Sequence, residues 1–357
     1  MRRSLLVIAA LFLGGCASAD DEPVPAPSSP SSGPASPEAT TPTAGASASG
    51  GVATPPDESA TPDPAPFPVS LPAYFDRRFS GGDLRLGEVR ERTAAYTSYA
   101  ASYRSGRLRI TGVLNVPTGR GPFPAVVLAH GYIDPAIYVT GQGMTRERGV
   151  LASRGYVAFH VDYRGHAGSD SDPATARRLR LDYSVDVINA VQALRSTRAV
   201  PVDDDRVGLM GRSMGGGVVY KALEMAPGLV DAAAVWAPVS SWEPDNFNRW
   251  VRGDPARDDL TAYVERRYGL PGQPGSRRFW REISARTYVD RITEPILLVQ
   301  GGSDDTCPPR WARATHRALR AADVRARLAW YPDEEHAFGP RFAAAMDRTI
   351  GFFDREL

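Results

Sequence analysis

Val207-Gly208-Leu209-Met210-Gly211-Arg212-Ser213-Met214-Gly215-Gly216-Gly217 is the stretch on which the reading of this chain turns. Its first part is a short apolar run, as expected of a strand buried on both faces. Its last part is made of small residues and leads into a helical pattern over 215–225. Ser213 stands at the joint, inside a Gly-x-Ser-x-Gly pattern, where a sharp strand-to-helix turn would expose it at the carboxyl edge of a sheet. Gly211 and Gly215 let the backbone and the following helix approach without a β-carbon clash. The turn also puts Ser213 near a helix N-terminus, where backbone N–H groups favour developing negative charge.

Two later stretches repeat this layout. Pro295-Ile296-Leu297-Leu298-Val299-Gln300-Gly301 leads to Asp304, and Leu328-Ala329-Trp330-Tyr331-Pro332 leads to His336. A nucleophile, an acid and a base, each just past an expected strand and in the order Ser, Asp, His, is the arrangement of an α/β-hydrolase. The remaining pattern agrees. Residues 96–103 and 107–116 alternate around Ser105-Gly106 and read as a hairpin. Continuous apolar runs at 124–129, 156–163, 206–210, 232–236, 296–299 and 327–330 alternate with helical spacing, for example Val187, Ile188, Val191 and Leu194. That alternation predicts a mostly parallel sheet wrapped by helices on both faces. Residues 240–293 interrupt it with an aromatic and charged segment, read as a small helical cap within a hydrolase domain spanning 72–357.

A serine hydroxyl needs a base to take its proton. Of the five histidines, His336 lies in a loop between the last expected strand and the last helix, from which it can reach the nucleophile. His130 belongs to the loop after the Val126 run and is better placed to shape an oxyanion region. His160 falls inside a strand, His166 reads as structural, and His316 falls on an exposed helical position. The acid must orient His336 and stabilise the imidazolium; Asp304 and Asp305 are adjacent, and spacing does not separate them. Asp333, Glu334 and Glu335 are expected to form a solvated acidic turn. An oxyanion hole needs two N–H donors aimed at one point. The residue after the nucleophile, Met214, supplies one, and His130-Gly131-Tyr132 supplies the other through the Tyr132 N–H.

Together, Val161-Asp162-Tyr163-Arg164-Gly165, Asp204-Asp205-Arg206-Val207-Gly208 and Gln300-Gly301-Gly302-Ser303-Asp304 carry a resemblance to the catalytic domain of prolyl oligopeptidase-like hydrolases, neighbours of the dienelactone hydrolase-like esterases. It covers most of the chain beyond about residue 96. The resemblance implies that the acid is the fourth residue after Gln300, which selects Asp304. It also implies a β-propeller ahead of the hydrolase domain in members that cleave peptides, for which this chain has no room. Tyr132 and Ile133 replace the Gly and Pro common after His-Gly, Gln300 replaces a usual His, and Cys307 replaces a usual Val. Cys307 is therefore expected to pack as a small apolar residue. Ser213-Met214-Gly215-Gly216-Gly217 also resembles polyester hydrolases locally.

The first residues carry a different message. Arg2-Arg3, the apolar residues 5–13 and Leu13-Gly14-Gly15-Cys16 resemble a bacterial lipoprotein signal, residues 1–15, with lipid expected on Cys16 and the protein held at the outer face of a membrane. Residues 16–71, rich in Pro, Ala, Ser and Thr, lack hydrophobic periodicity and read as a disordered tether. With two cysteines, lipid on Cys16 leaves Cys307 unpaired, so the fold is expected to rest on its core. A formal net charge of +1 gives no reason to expect a nucleic-acid partner.

The expected chemistry is acyl transfer to water through a Ser213 ester, with no cofactor and no metal. A small or medium carboxylic ester is preferred as substrate. The alternatives are a serine peptidase acting on short peptides and a catalytically inactive, lipid-anchored binding protein.

Overall fold

The apolar runs become the buried strands of one sheet. A computed structural model describes residues 65–357. The expected signal segment, Cys16 and the tether up to residue 64 lie outside the described residues. Strands β1 (Gly81–Arg92), β2 (Tyr96–Ser105) and β3 (Leu108–Pro117) form an antiparallel meander, with β2 and β3 joined through Gly106-Arg107. Alternation follows: β4 (Phe123–Ala129), α1 (Thr145–Ser153), β5 (Val157–Val161), α2 (Leu181–Ser196), β6 (Val202–Arg212), α3 (Met214–Met225) and β7 (Ala232–Trp236). Helices α4 (Glu243–Trp250), α5 (Asp258–Tyr268) and α6 (Arg277–Glu282) stand where the sequence breaks its rhythm. The chain then returns through β8 (Ile296–Gly301), α7 (Pro309–Ala321), β9 (Ala326–Tyr331) and α8 (Phe342–Glu356). This is an α/β-hydrolase fold.

The strand order is β1-β2-β3-β5-β4-β6-β7-β8-β9, antiparallel as far as β5 and parallel beyond it. The exchange of β5 and β4 positions the site. It puts β4 beside β6, with Ala129 opposite Gly211, so the loops leaving these two strands emerge side by side. Along β4, Val126 and Leu128 face a core built with Leu151, Met346 and Phe353, while Val127 and Ala129 face one built with Val187, Val191, Val219 and Leu223. Both faces are therefore dry, which is why such strands read as unbroken apolar runs.

Two differences from the sequence reading have physical causes. β1 was not expected, because it lies at the sheet edge with mostly exposed side chains, charged residues and register shifts that blur its alternation. The packed chain also begins earlier than residue 72. Leu71 is fully buried, its N–H donates to Glu282 O at 2.9 Å, and the Phe67 ring meets Tyr268 and Phe279 edge-on. The few apolar residues of 65–71 are placed by a distant partner, which local composition does not reveal.

Candidate active site

Ser213 occupies the turn between β6 and α3 with φ 56° and ψ −121°, a conformation that costs a non-glycine residue roughly 1–3 kcal/mol. The turn is held from both sides. Ser213 N–H donates to Trp236 O at 2.9 Å, and Ser213 O accepts from Gly216 and Val239 N–H groups at 2.9 and 3.1 Å. A β-carbon at Gly215 would stand 1.9 Å from Ala129 O, so only glycine lets α3 start this close to the end of β4. Across the gap, a β-carbon at Gly131 would lie 3.1 Å from Ser213 Cβ, which shows how closely the His130-Gly131-Tyr132 loop borders the serine.

The loop after β8 carries Asp304, almost fully buried. Its carboxylate accepts from Cys307 N–H at 2.8 Å, Thr306 N–H at 3.0 Å and Gln300 Nε2 at 3.0 Å. Its remaining partner is His336, whose Nδ1 lies 3.0 Å from Oδ2 and 3.2 Å from Oδ1. Asp305 is exposed and has no bond to the imidazole. A carboxylate on Nδ1 fixes the tautomer that leaves Nε2 free to accept a proton.

Ser213 and His336 line one cavity of about 500 Å³. In this rotamer Ser213 Oγ points toward Cys307 Sγ, 4.0 Å away, and no hydrogen bond joins it to the imidazole. Hydrogen bonds between nucleophile and base commonly tighten only with substrate present. Burial pushes the Cys307 thiol up to about 12, with the nearby Asp304 carboxylate adding to the effect, so the sulfur stays protonated and packs as a small apolar group.

Met214 is the first residue of α3, so its N–H is one of the unpaired donors of that helix end. Among the described residues, neither it nor the Tyr132 N–H has a protein acceptor. His130 is fully buried beneath this loop, its Nδ1 2.6 Å from Gly131 O, and burial lowers it to about 3. A neutral ring there puts no charge beneath the Gly131-Tyr132 backbone. His160 and His166 are buried as well, while His316, expected on an exposed face, is half-buried with Nε2 3.4 Å from Ala326 O.

Several supporting residues were missed from sequence. Glu334, read as part of a solvated turn, is 2% exposed and accepts from Gly339 N–H at 2.6 Å and from Arg341 N–H, tying the His336 loop into a compact turn. Arg212, the residue before Ser213, donates to His336 O at 3.1 Å and to the buried Glu147 at 3.2 Å. It thereby couples the position of His336 to that of Ser213. Its place inside the Gly-x-Ser-x-Gly pattern was the available signal. Lys221, Glu243, Phe247 and Trp250, from α3 and α4, also line the cavity.

Comparison with known proteins follows the same lines. The family model described as "Prolyl oligopeptidase family" matches residues 143–357. The dipeptidyl aminopeptidase BIII of Pseudoxanthomonas mexicana is 28% identical over 221 residues, 61% of this chain and 30% of that protein. The uncharacterized peptidase YtmA of Bacillus subtilis (strain 168) is 26% identical over 248 residues, covering 68% of this chain and 87% of that one. The chain spans less than a third of the dipeptidyl peptidases it matches. Among solved structures, acetyl xylan esterase 1 from Thermoanaerobacterium sp. JW/SL YS485 superposes with a TM-score of 0.60 at 21% identity, over 81% of this chain and 94% of that one, a likeness of fold.

Proposed function

Because the chain belongs to the prolyl oligopeptidase family, we propose that this serine hydrolase is a peptidase acting on short peptides, with Ser213 as nucleophile, His336 as base and Asp304 as the acid that orients it. The observation that carries the reading is the His336–Asp304 pair, whose imidazole lines the cavity that Ser213 also lines. In this reading the Ser213 side chain turns away from Cys307 so that Oγ meets His336 Nε2. His336 takes the hydroxyl proton as Oγ attacks the carbonyl carbon, and the Met214 and Tyr132 N–H groups hold the oxyanion. The imidazolium, stabilised by Asp304, returns that proton to the leaving amine. A water activated by His336 then cleaves the acyl-enzyme, releasing the acid and restoring the serine.

Peptides are preferred to the esters expected from sequence because the matched curated relatives bear peptidase names. Residues 240–293 are taken as a cap whose α4 side chains narrow the cleft. The reading also keeps lipid on Cys16, a tethered domain and an exported, membrane-held protein, all supported by the sequence alone.

The test is labelling by a fluorophosphonate probe followed by turnover of peptide p-nitroanilides and p-nitrophenyl esters. Labelling should be lost in Ser213→Ala, and anilides should be cleaved. Labelling that survives the substitution would remove Ser213 from the chemistry, and efficient ester cleavage without any anilide cleavage would restore the ester reading.

A further inference from the structure

Besides His336, four basic side chains line the cleft: Arg180, Lys221, Arg249 and Arg257. Three of them are engaged. Lys221 Nζ bonds the Glu243 carboxylate at 2.8 Å. Arg249 donates to Thr306 O at 2.9 Å and to Asp305 O. Arg257 donates to Trp250 O at 2.6 Å and lies 3.3 Å from the Asp254 carboxylate. Among the described residues, the Arg180 guanidinium has neither a carboxylate nor a carbonyl partner. It stands over the Tyr132 ring, 4.8 Å from the centroid, where Arg257 also lies at 5.1 Å.

The backbone beneath Arg180 is unusual. Leu179 and Arg180 take φ values of 48° and 60°, two successive non-glycine residues in the left-handed region, and both line the cleft. Strain of this kind persists where the surroundings enforce it and concentrates at binding sites. The neighbouring arginine behaves differently: Arg178 bonds Asp172 at 2.7 Å and Asp182 at 2.6 Å. The turn thus satisfies one guanidinium with carboxylates and leaves the other facing the cavity. The carboxylates lining the cavity, Glu243 and Asp254, are already paired, so the cleft carries excess positive charge. In a half-enclosed site that charge attracts an anion more strongly than it would in open water.

We propose that Arg180 binds a carboxylate on the substrate close to the scissile bond, making this a hydrolase that selects anionic substrates. The guanidinium stands beside the ring of Tyr132, whose own N–H is assigned to the oxyanion, so the bound carboxylate lies within a residue or two of the reacting carbonyl. A planar guanidinium takes a carboxylate through paired N–H donors, a geometry unavailable to a neutral amide. The proposal rests on the assignment of Ser213 as nucleophile. Two sources share the required chemistry: the free C-terminus of a short peptide and an acidic side chain.

The experiment uses matched pairs, an alanine tripeptide against its C-terminal amide and Gly-Glu against Gly-Gln p-nitroanilide. In at least one pair the anionic member should be favoured on the order of 10- to 100-fold in kcat/KM, chiefly through KM. The pair that responds identifies the source. Arg180→Gln should bring that ratio toward one, and Arg180→Glu should push it below one. Each ratio is internal to a variant, so partial unfolding lowers both members alike. Ratios near one in the unsubstituted protein, or a preference that survives Arg180→Gln, would overturn the proposal. Should no peptide be turned over, the peptidase reading fails. The anion site is then read by calorimetry of the tripeptide acid and amide on Ser213→Ala protein, with and without Arg180→Gln. Tighter acid binding that is lost with Arg180 upholds it; equal binding sinks it.

Discussion

Two adjacent carboxylates show what happens at the scale of a residue. Asp304 and Asp305 are chemically alike, yet one is buried under three N–H donors with His336 as its fourth partner, and the other is exposed. Asp304→Asn should therefore lower kcat by about 10⁴-fold, because an amide at this position favours the wrong imidazole tautomer. Asp305→Asn should change kcat by less than about threefold, within the range of a surface substitution. Steady-state kinetics on both variants decides the matter, and equal losses would mean that the acid is misassigned. The choice was not legible from spacing, since Asp304 and its neighbour are almost equally far from His336, which lies 32 residues beyond Asp304. The expectation of His336 as the base came from its position, the histidine in a loop after the last strand, and the structure sets its Nδ1 on Asp304. Glu334 was misread for a related reason. A run of acids looks solvated in sequence, while its burial depends on where the turn places Gly339 and Arg341 N–H groups.

At the scale of an element, α3 combines two demands. Its small first turn meets the rim of the sheet, while its later residues enter the core. Glu224, fully buried on this helix, has neither side-chain oxygen hydrogen-bonded, and Tyr220 OH, one turn earlier, is unpartnered too. Burial raises Glu224 well above the usual carboxylate range. The folded state therefore holds a proton that the unfolded chain releases above about pH 4.5. The stability this group allows is full below that pH and declines as pH rises toward its folded value. Glu224→Met should remove that decline and stabilise the protein at pH 8 by about 1–3 kcal/mol. Denaturant unfolding at pH 5 and pH 8 measures both effects; a variant less stable at pH 8 would show that the carboxyl is satisfied in solution. Buried elements such as β4, β6 and β8 were legible because both faces are apolar. β1 was not, because an exposed edge strand places little constraint on its side chains.

At the scale of the whole molecule, segments far apart in sequence complete one another. Leu71 joins the core against the segment that carries α6, with its N–H on Glu282 O. Leu71→Ala should cost about 2–5 kcal/mol, as for other fully buried leucines. A change in unfolding free energy below about 1 kcal/mol would place residues 65–71 outside the cooperative fold. Pattern along the chain was enough for the α/β alternation, the order of Ser213, Asp304 and His336, and the strand ends on which they sit. Hydrophobic periodicity and strand-to-helix turns are local, and they survive in one dimension. The fold in three dimensions settled that β4 lies beside β6, that Glu334 is buried, and that the Arg180 guanidinium, among the described residues, faces the cleft with neither a carboxylate nor a carbonyl partner. Those outcomes depend on which distant donors, acceptors and charges come within a few ångströms, and sequence separation carries no such distance.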